Sequence, residues 1–313
     1  MMKIIYSIVK SVRGLSHLKE NNPNEDSVLL SRIGSHALVV AISDGHGSDK
    51  CFRSQTGSRF AVKALENIFQ KTPSLKTIDE VRQVTESLPA MIVQQWKAFV
   101  DEDLKSYPYS LAEQSDECKS NLYLPYGCTL LGCYLTNQYG IFIQIGDGDM
   151  FALFSEGITK KLVPDDERLT GQETTSLCLT DAEKDFRISV IDFSENSLDV
   201  IILGTDGMGN SYSTDMDLFD WATDIKEIMS QENGRDMINE NFSTWLDEVS
   251  TNGSGDDISM AVIVMEKDSS SESDTELQRG GLKNFFSRFL PQSKSVNKPI
   301  NNLKNKYHET TRR

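Results

Sequence analysis

Five times in this chain a short apolar run meets acidic residues at one of its ends, and that repetition constrains the fold more than any other feature. Val39-Val40-Ala41-Ile42 leads through Ser43 into Asp44-Gly45-His46-Gly47. Gly140 to Ile145 leads into Gly146-Asp147-Gly148-Asp149, and Leu198 to Leu203 into Gly204-Thr205-Asp206-Gly207. Asp256-Asp257 stands directly before Ile258 to Val264, and Asn24-Glu25-Asp26 before Val28-Leu29-Leu30. Short apolar runs bounded by turn residues read as fully buried strands. A strand end is rigid, so a carboxylate placed there is held in position; neighbouring glycines let the backbone turn sharply and bring its carbonyls close to a ligand. A single Asp-Gly pair is an ordinary turn. Its recurrence points to chemistry. Acids that converge cannot all be ionised unless cations sit among them. Oxygen donors select magnesium, manganese or calcium over the metals that prefer softer ligands. A calcium loop with Asp-x-Asp-x-Asp-Gly spacing and a closing Glu is not in the sequence.

In their order along the chain, Asn24-Glu25-Asp26, Asp44-Gly45-His46-Gly47, Gly146-Asp147, Thr205-Asp206-Gly207 and Gly255-Asp256-Asp257-Ile258-Ser259 resemble the motifs of the metal-dependent serine/threonine protein phosphatases of the type 2C class. Gly14-Leu15-Ser16-His17 ahead of Asn24 resembles a bacterial-type branch of that class, and the likeness runs over roughly the first 265 residues. The resemblance implies an α+β fold, a four-layer α-β-β-α sandwich of two antiparallel sheets flanked by helix pairs, with metals at one end. It implies hydrolysis of phosphoserine and phosphothreonine on proteins by a hydroxide bridging two magnesium or manganese ions, with a third ion held more weakly. The implied partners are phosphorylated proteins, substrates of a cognate serine/threonine kinase.

By motif position, the resemblance makes Asp44 the bridge between both metals, with Asp206 and Asp256 completing one site. Glu25 and the Gly45 carbonyl serve the other, and Asp147 joins Asp206 at the third ion. Asp26 and Asp257 orient ligands or water, or steady the turns; Asp149 reads as a turn residue. His46 is the general acid, since a serine or threonine alkoxide leaves poorly without a proton donor. His17 falls where many members carry an arginine that forks onto the substrate phosphate. Histidine donates to phosphate without that two-pronged contact, and Arg13 nearby is the other phosphate-binding candidate. This departure motivates a second reading: a catalytically weak relative that binds a phosphoprotein or partner as a regulatory module.

The net charge of −15 is unevenly spread. Residues 278–313 carry nine Lys and Arg against Glu309 alone, a net +8, which leaves −23 on the rest. An acidic body repels nucleic-acid phosphate, which excludes nucleic acid as a partner of the folded domain. The five cysteines form no Cys-x-x-Cys pair, which argues for reduced thiols in a cytoplasmic setting. No apolar stretch approaches the ~20 residues that span a bilayer, and Met1 to Val9 is too short and strand-like for a secretory signal.

Apolar patterning predicts strands over residues 3–10, 27–33, 37–43, 128–136, 140–146, 150–154, 187–193 and 199–205. Helical spacing links Phe60, Ala61, Ala64, Leu65 and Ile68, and a second helical region over 78–104 is interrupted near Pro89. Two more helices are expected around Leu218–Ile228 and Ile238–Val249. Strands in runs with helices grouped apart read as α+β with antiparallel sheets. The polar stretch 165–182 falls where the family carries a mobile flap. Residues 1–267 form the expected catalytic domain, and 268–313 an acidic serine linker followed by a basic tail. In that tail Leu282, Phe285, Phe286, Phe289 and Leu290 have the spacing of a short amphipathic helix, suited to docking on a partner or on its own domain, or to lying on an anionic membrane.

Overall fold

Every residue of Ala37–Ser43 is buried, as its apolar run demands. Alternation along a strand sends Val39 and Ala41 to one face and Leu38, Val40 and Ile42 to the other, so this strand needs cover on both sides. That requirement sets the layers. The computed structural model describes residues 1–35, 37–72, 75, 77–166 and 174–268.

In chain order the strands are β1 (Met2–Val12), β2 (Ser27–Ile33), β3 (Ala37–Ser43), β4 (Leu130–Leu135), β5 (Tyr139–Ile145), β6 (Asp149–Phe154), β7 (Thr159–Lys161), β8 (Arg187–Asp192), β9 (Leu198–Gly204) and β10 (Ile258–Lys267). The helices are α1 (Leu15–Glu20), α2 (Ser54–Lys71), α3 (Ile78–Ser106), α4 (Asp116–Ser120), α5 (Asp206–Gly209), α6 (Asp215–Met229) and α7 (Gly234–Asn252). One five-stranded sheet has the order β1-β10-β9-β6-β7, the other β2-β3-β4-β5-β8, and all pairings are antiparallel. Leu38, Val40, Ile42, Phe142, Ile201, Leu203 and Ile263 fill the space between the sheets. Helices α2 and α3 cover the β3 sheet through Leu65, Ile92 and Trp96. Helices α6 and α7 cover the other through Trp221, Ile225, Phe242 and Leu246. The expected four-layer sandwich of two antiparallel sheets flanked by helix pairs is the fold observed.

The second helical region departs from expectation: α3 runs unbroken through Pro89. A proline inside a helix costs about 3 kcal/mol or more, through a lost hydrogen bond and a ring clash. Leu88, Ile92, Val93, Trp96 and Val100 are all buried, each contributing about 1.5–3 kcal/mol, so packing outweighs the break. A capping box between Thr77 and Glu80 fixes the start of this helix. Short elements with little periodicity, α1, α4, α5 and β7, went unread in the sequence.

Antiparallel register places the acidic motifs together. Ser27 pairs with Ser43, Leu130 with Ile145, Val12 with Ile258, and Gly204 with both Met260 and Asp149. The ends that carry Glu25, Asp26, Asp44, Asp147, Asp206, Asp256 and Asp257 therefore lie at one pole of the sandwich. Met2, Lys267, Asn137 and Asp192 lie at the other. Among the described residues no helix is long and apolar enough to cross a membrane. The acidic linker from Ser269 and the basic tail with its amphipathic segment lie outside the described residues, as does His36.

Trp96 is fully buried and donates from Nε1 to the Gly57 carbonyl at 2.9 Å. Trp96→Ala is expected to lower stability by about 3–5 kcal/mol, read as a fall in the urea midpoint without change of slope.

Candidate active site

Asp44 leaves β3 clasped by Thr129. Its N–H donates to Thr129 Oγ1 at 3.0 Å, and its carbonyl accepts from the Thr129 N–H at 2.8 Å. Asp206 arrives from the opposite sheet as the first residue of α5. The two carboxyls stand within electrostatic reach of each other. Burial is the main cause that pushes Asp44 well above the usual carboxylate range, followed by the charges of Asp26 and Asp206, with Asp256 adding to them. Asp206 is raised by burial first and then by Asp147 and Asp256, against the favourable bond from Asp44. Asp26 is buried beneath them and pushed up to about 8 by burial, with Asp257 and Asp206 adding repulsion. Its Oδ2 accepts from Thr205 Oγ1 at 3.0 Å, which ties the start of β2 to the end of β9 across the two sheets.

Glu25 and Asp257 form the other flank. Glu25 Oε1 accepts from Ser54 Oγ at 2.7 Å, and the Glu25 carbonyl from Ser58 Oγ at 2.6 Å. Burial raises the Glu25 carboxyl. Asp257 is buried and accepts three donors: the Gly14 N–H at 2.6 Å, the Glu25 N–H at 2.7 Å, and His17 Nδ1 at 2.9 Å. With Nδ1 held there, the ring's other nitrogen lies on the Gly47 side. A β-carbon on Gly47 would sit 2.6 Å from Glu25 Oε2 and 3.7 Å from His17 Nε2, so a side chain here would intrude on the carboxylate. Gly207 is needed for the same reason: a β-carbon would meet the Asp257 carbonyl at 2.1 Å and Asp256 Cβ at 3.3 Å. Gly45 packs its backbone against the Glu25 carbonyl and Ser54.

His46 lies against Gly127, with its N–H donating to the Gly127 carbonyl at 3.1 Å. Its Nε2 is buried with no hydrogen-bond partner. Burial depresses its proton affinity, opposed by the nearby charge of Asp147, which is itself exposed. Arg13 Nη2 donates to the His17 carbonyl at 3.2 Å, so this side chain braces α1 from the strand exit. Asp149 is a correction: it is not a free turn residue but the first residue of β6, within 4.0 Å of Lys161 and raised to about 6 by burial. It lines a polar cavity of about 230 Å³ with Asp147, Asp206, Asn210 and Asp215.

Of the residues expected at the site, the structure gathers Asp44, Asp206, Asp256, Asp26, Glu25, Asp257 and His17, with Gly45, Asp147 and His46 at the margin. Sequence patterning missed the hydroxyl residues Thr129, Ser54 and Thr175, whose Oγ1 accepts from the Gly146 N–H at 2.9 Å, and gave no role to Thr205 within its motif. Single hydroxyls far apart in the chain leave no spacing signal. Thr175 and Ser176 belong to the polar stretch after β7, so part of that stretch supports the acidic turns; residues 167–173 of it lie outside the described residues.

Among the described residues, no three His, Cys, Asp or Glu side chains already close on one point as the ligands of a single ion do. The donor set nevertheless fits hard dications, which keep water in their shell and need few protein ligands each. It consists of carboxylates and a backbone carbonyl, with Asp26, Asp44 and Asp206 raised in proton affinity by burial and by neighbouring acids, and an unpartnered imidazole nitrogen beside them.

Residues 13–247 match the family model described as protein phosphatase 2C. The chain belongs to that family. Among solved structures it is similar to a bacterial serine phosphatase (13% identity over 85% of this chain and 99% of that one, TM-score 0.56). It is also similar to the serine/threonine phosphatase Stp1 from Staphylococcus aureus (14%, 85% and 96%, 0.55). A third is the catalytic domain of the serine/threonine phosphatase PstP in complex with two manganese ions (16%, 85% and 100%, 0.52). Comparison with curated protein sequences gives no match.

Four clustered carboxyls, Glu25, Asp26, Asp44 and Asp206, have proton affinities raised by folding. The native state then binds more protons than the unfolded chain above the ordinary carboxylate value near pH ~4, and stability must fall as pH rises. For metal-free protein in chelator, urea unfolding is expected to give lower stability at pH 8 than at pH 5. Asp26→Asn should shrink that difference.

Proposed function

We propose that this protein hydrolyses phosphoserine and phosphothreonine on proteins with magnesium or manganese at the acidic pole. The observation that carries the reading is the meeting of Asp44 and Asp206, from opposite sheets, with Asp26 and Asp256 close enough to raise their proton affinities. Two divalent ions, when bound, supply an activated water and neutralise charge on the phosphoryl oxygens. Asp44, Asp206 and Asp256 hold one ion, and Asp44, Glu25 and the Gly45 carbonyl the other. Asp147 and Asp206 take a weaker third. Asp26 holds the Thr205 hydroxyl, and so the turn that presents Asp206; Asp257 holds the Glu25 backbone and the His17 ring.

His46 gives a proton to the departing serine or threonine oxygen. Burial makes its imidazolium a stronger acid, and its free Nε2 is the atom available for transfer. His17 contacts the phosphate through Nε2, oriented by Asp257. Arg13, engaged with the His17 carbonyl, serves phosphate by steadying that segment. Residues 1–267 act as the catalytic domain, with 268–313 as an appended tail. Five free, buried cysteines support a reducing, cytoplasmic setting. The substrates would be proteins phosphorylated by a kinase of the same cell.

The second reading, a weakly catalytic module that binds phosphoprotein, rests on His17 in place of a forked cation. Hydrolysis of p-nitrophenyl phosphate with magnesium or manganese separates the two. Asp44→Asn and Asp206→Asn are expected to lower the rate by about 10³-fold or more; an undiminished rate in both would end the phosphatase reading. His46→Gln should cost about 10²–10⁴-fold on a phosphoserine peptide and far less on p-nitrophenyl phosphate, whose leaving group departs without a proton.

A further inference from the structure

Beside His46 the acidic pole carries an apolar surface that the chemistry above does not use. Gly127, itself buried, lies beneath its inner edge. A β-carbon there would lie 2.9 Å from His46 Cδ2, 2.9 Å from Cys51 Sγ and 3.2 Å from Cys178 Sγ. Both thiols are buried, and the residue following each comes to the surface: Phe52 is 40% exposed and Leu179 38%. Tyr107, at the end of α3, is 68% exposed, and Leu122 51%.

One network holds the backbone at or beside these residues and the Phe52 ring. The Arg53 guanidinium lies 4.6 Å over the Tyr109 ring and 6.0 Å from that of Phe52, and Nη1 donates to the Tyr107 carbonyl at 2.7 Å. Phe52 meets Tyr109 edge-on at 5.7 Å, and the Tyr109 hydroxyl donates to the Leu122 carbonyl at 2.7 Å. Asn121 Nδ2 donates to the Cys178 carbonyl at 2.7 Å, which joins Leu122 to Leu179. Asp103 and Glu113, each 3.7 Å from Arg53, neutralise its charge. The backbone that carries these apolar residues is therefore held in place beside His46, the Arg53 charge is balanced, and the exposed Lys50–Glu117 ion pair lies two residues from Phe52. Preformed apolar area of this kind marks recognition sites.

We propose that Phe52, Tyr107, Leu122 and Leu179 receive an apolar side chain of the phosphorylated polypeptide, next to the phosphoserine or phosphothreonine. The occupant follows from position. A polypeptide that places its phosphoryl group among the acids and its leaving oxygen at His46 brings its neighbouring residues to Phe52 and Leu179, which follow the two thiols packed between Gly127 and His46. The inference rests on the phosphatase reading and narrows its substrate class to sites flanked by leucine-like or aromatic residues.

The test compares a phosphoserine peptide flanked by leucines with a serine-flanked twin, using the full chain and p-nitrophenyl phosphate as the flank-free control. The leucine peptide is expected to show about tenfold or greater kcat/KM, the scale on which an apolar pocket discriminates. Phe52→Ser and Leu122→Ser should erase that preference and leave p-nitrophenyl phosphate hydrolysis unchanged. Equal use of both peptides by a chain that hydrolyses p-nitrophenyl phosphate overturns the inference. So does self-association that these variants abolish without any peptide preference, which assigns the surface to a second copy. If p-nitrophenyl phosphate is not hydrolysed, the phosphatase reading is what fails, and fluorescence anisotropy of the two labelled peptides then reads the surface by itself. Tighter binding of the leucine peptide, lost in Phe52→Ser, supports it; equal binding overturns it.

Discussion

Repulsion among carboxylates is the constraint around which this molecule is arranged. Burial first, and then the charges of neighbouring acids, raise the proton affinities of Asp26, Asp44 and Asp206, a state that an unsupported loop would relax by moving apart. Here none can move. Each sits at or beside the end of a buried strand, and the strands are locked by ladders in two sheets that share one apolar interior. Hydrophobic packing thus supplies the free energy that holds like charges together, and a strained donor set favours whatever cation relieves it.

Hydroxyl side chains distribute that strain. Thr129 grips the backbone of Asp44, Thr205 the carboxyl of Asp26, and Ser54 that of Glu25. Asp257 is satisfied by three donors and so remains an acceptor that anchors Gly14, Glu25 and His17 at once. Two situations result: Asp257 has ample donors, whereas Asp44 and Asp206 face other acids. The division of roles follows from counting donors around each group.

The sandwich has two unlike poles. One gathers the acids, the orphaned His46 nitrogen and an apolar rim built around Arg53. The other carries hairpin turns, the first strand's start and the last strand's end. Antiparallel pairing makes this separation automatic, because each hairpin returns the chain to the pole it left. The family relationship over residues 13–247 and the likeness to solved bacterial serine/threonine phosphatases fit this two-sheet fold.

Sequence was enough to place the strands, since continuous apolar runs such as 37–43 and 198–204 have no stable home except a sheet covered on both faces. It was also enough to pick out the acids, because each stood at the edge of such a run. It could not settle that Pro89 would be carried through a helix, since that balance depends on what Leu88, Ile92 and Trp96 pack against. Nor could it assign Asp149 to a strand beside Lys161, single out Thr129, or give Thr205 its bond to Asp26. The hydroxyl contacts join residues many positions apart in the chain, and a hydroxyl's value lies wholly in the partner that folding brings to it. Local patterning specifies elements; only their packing dictates which charges must live side by side.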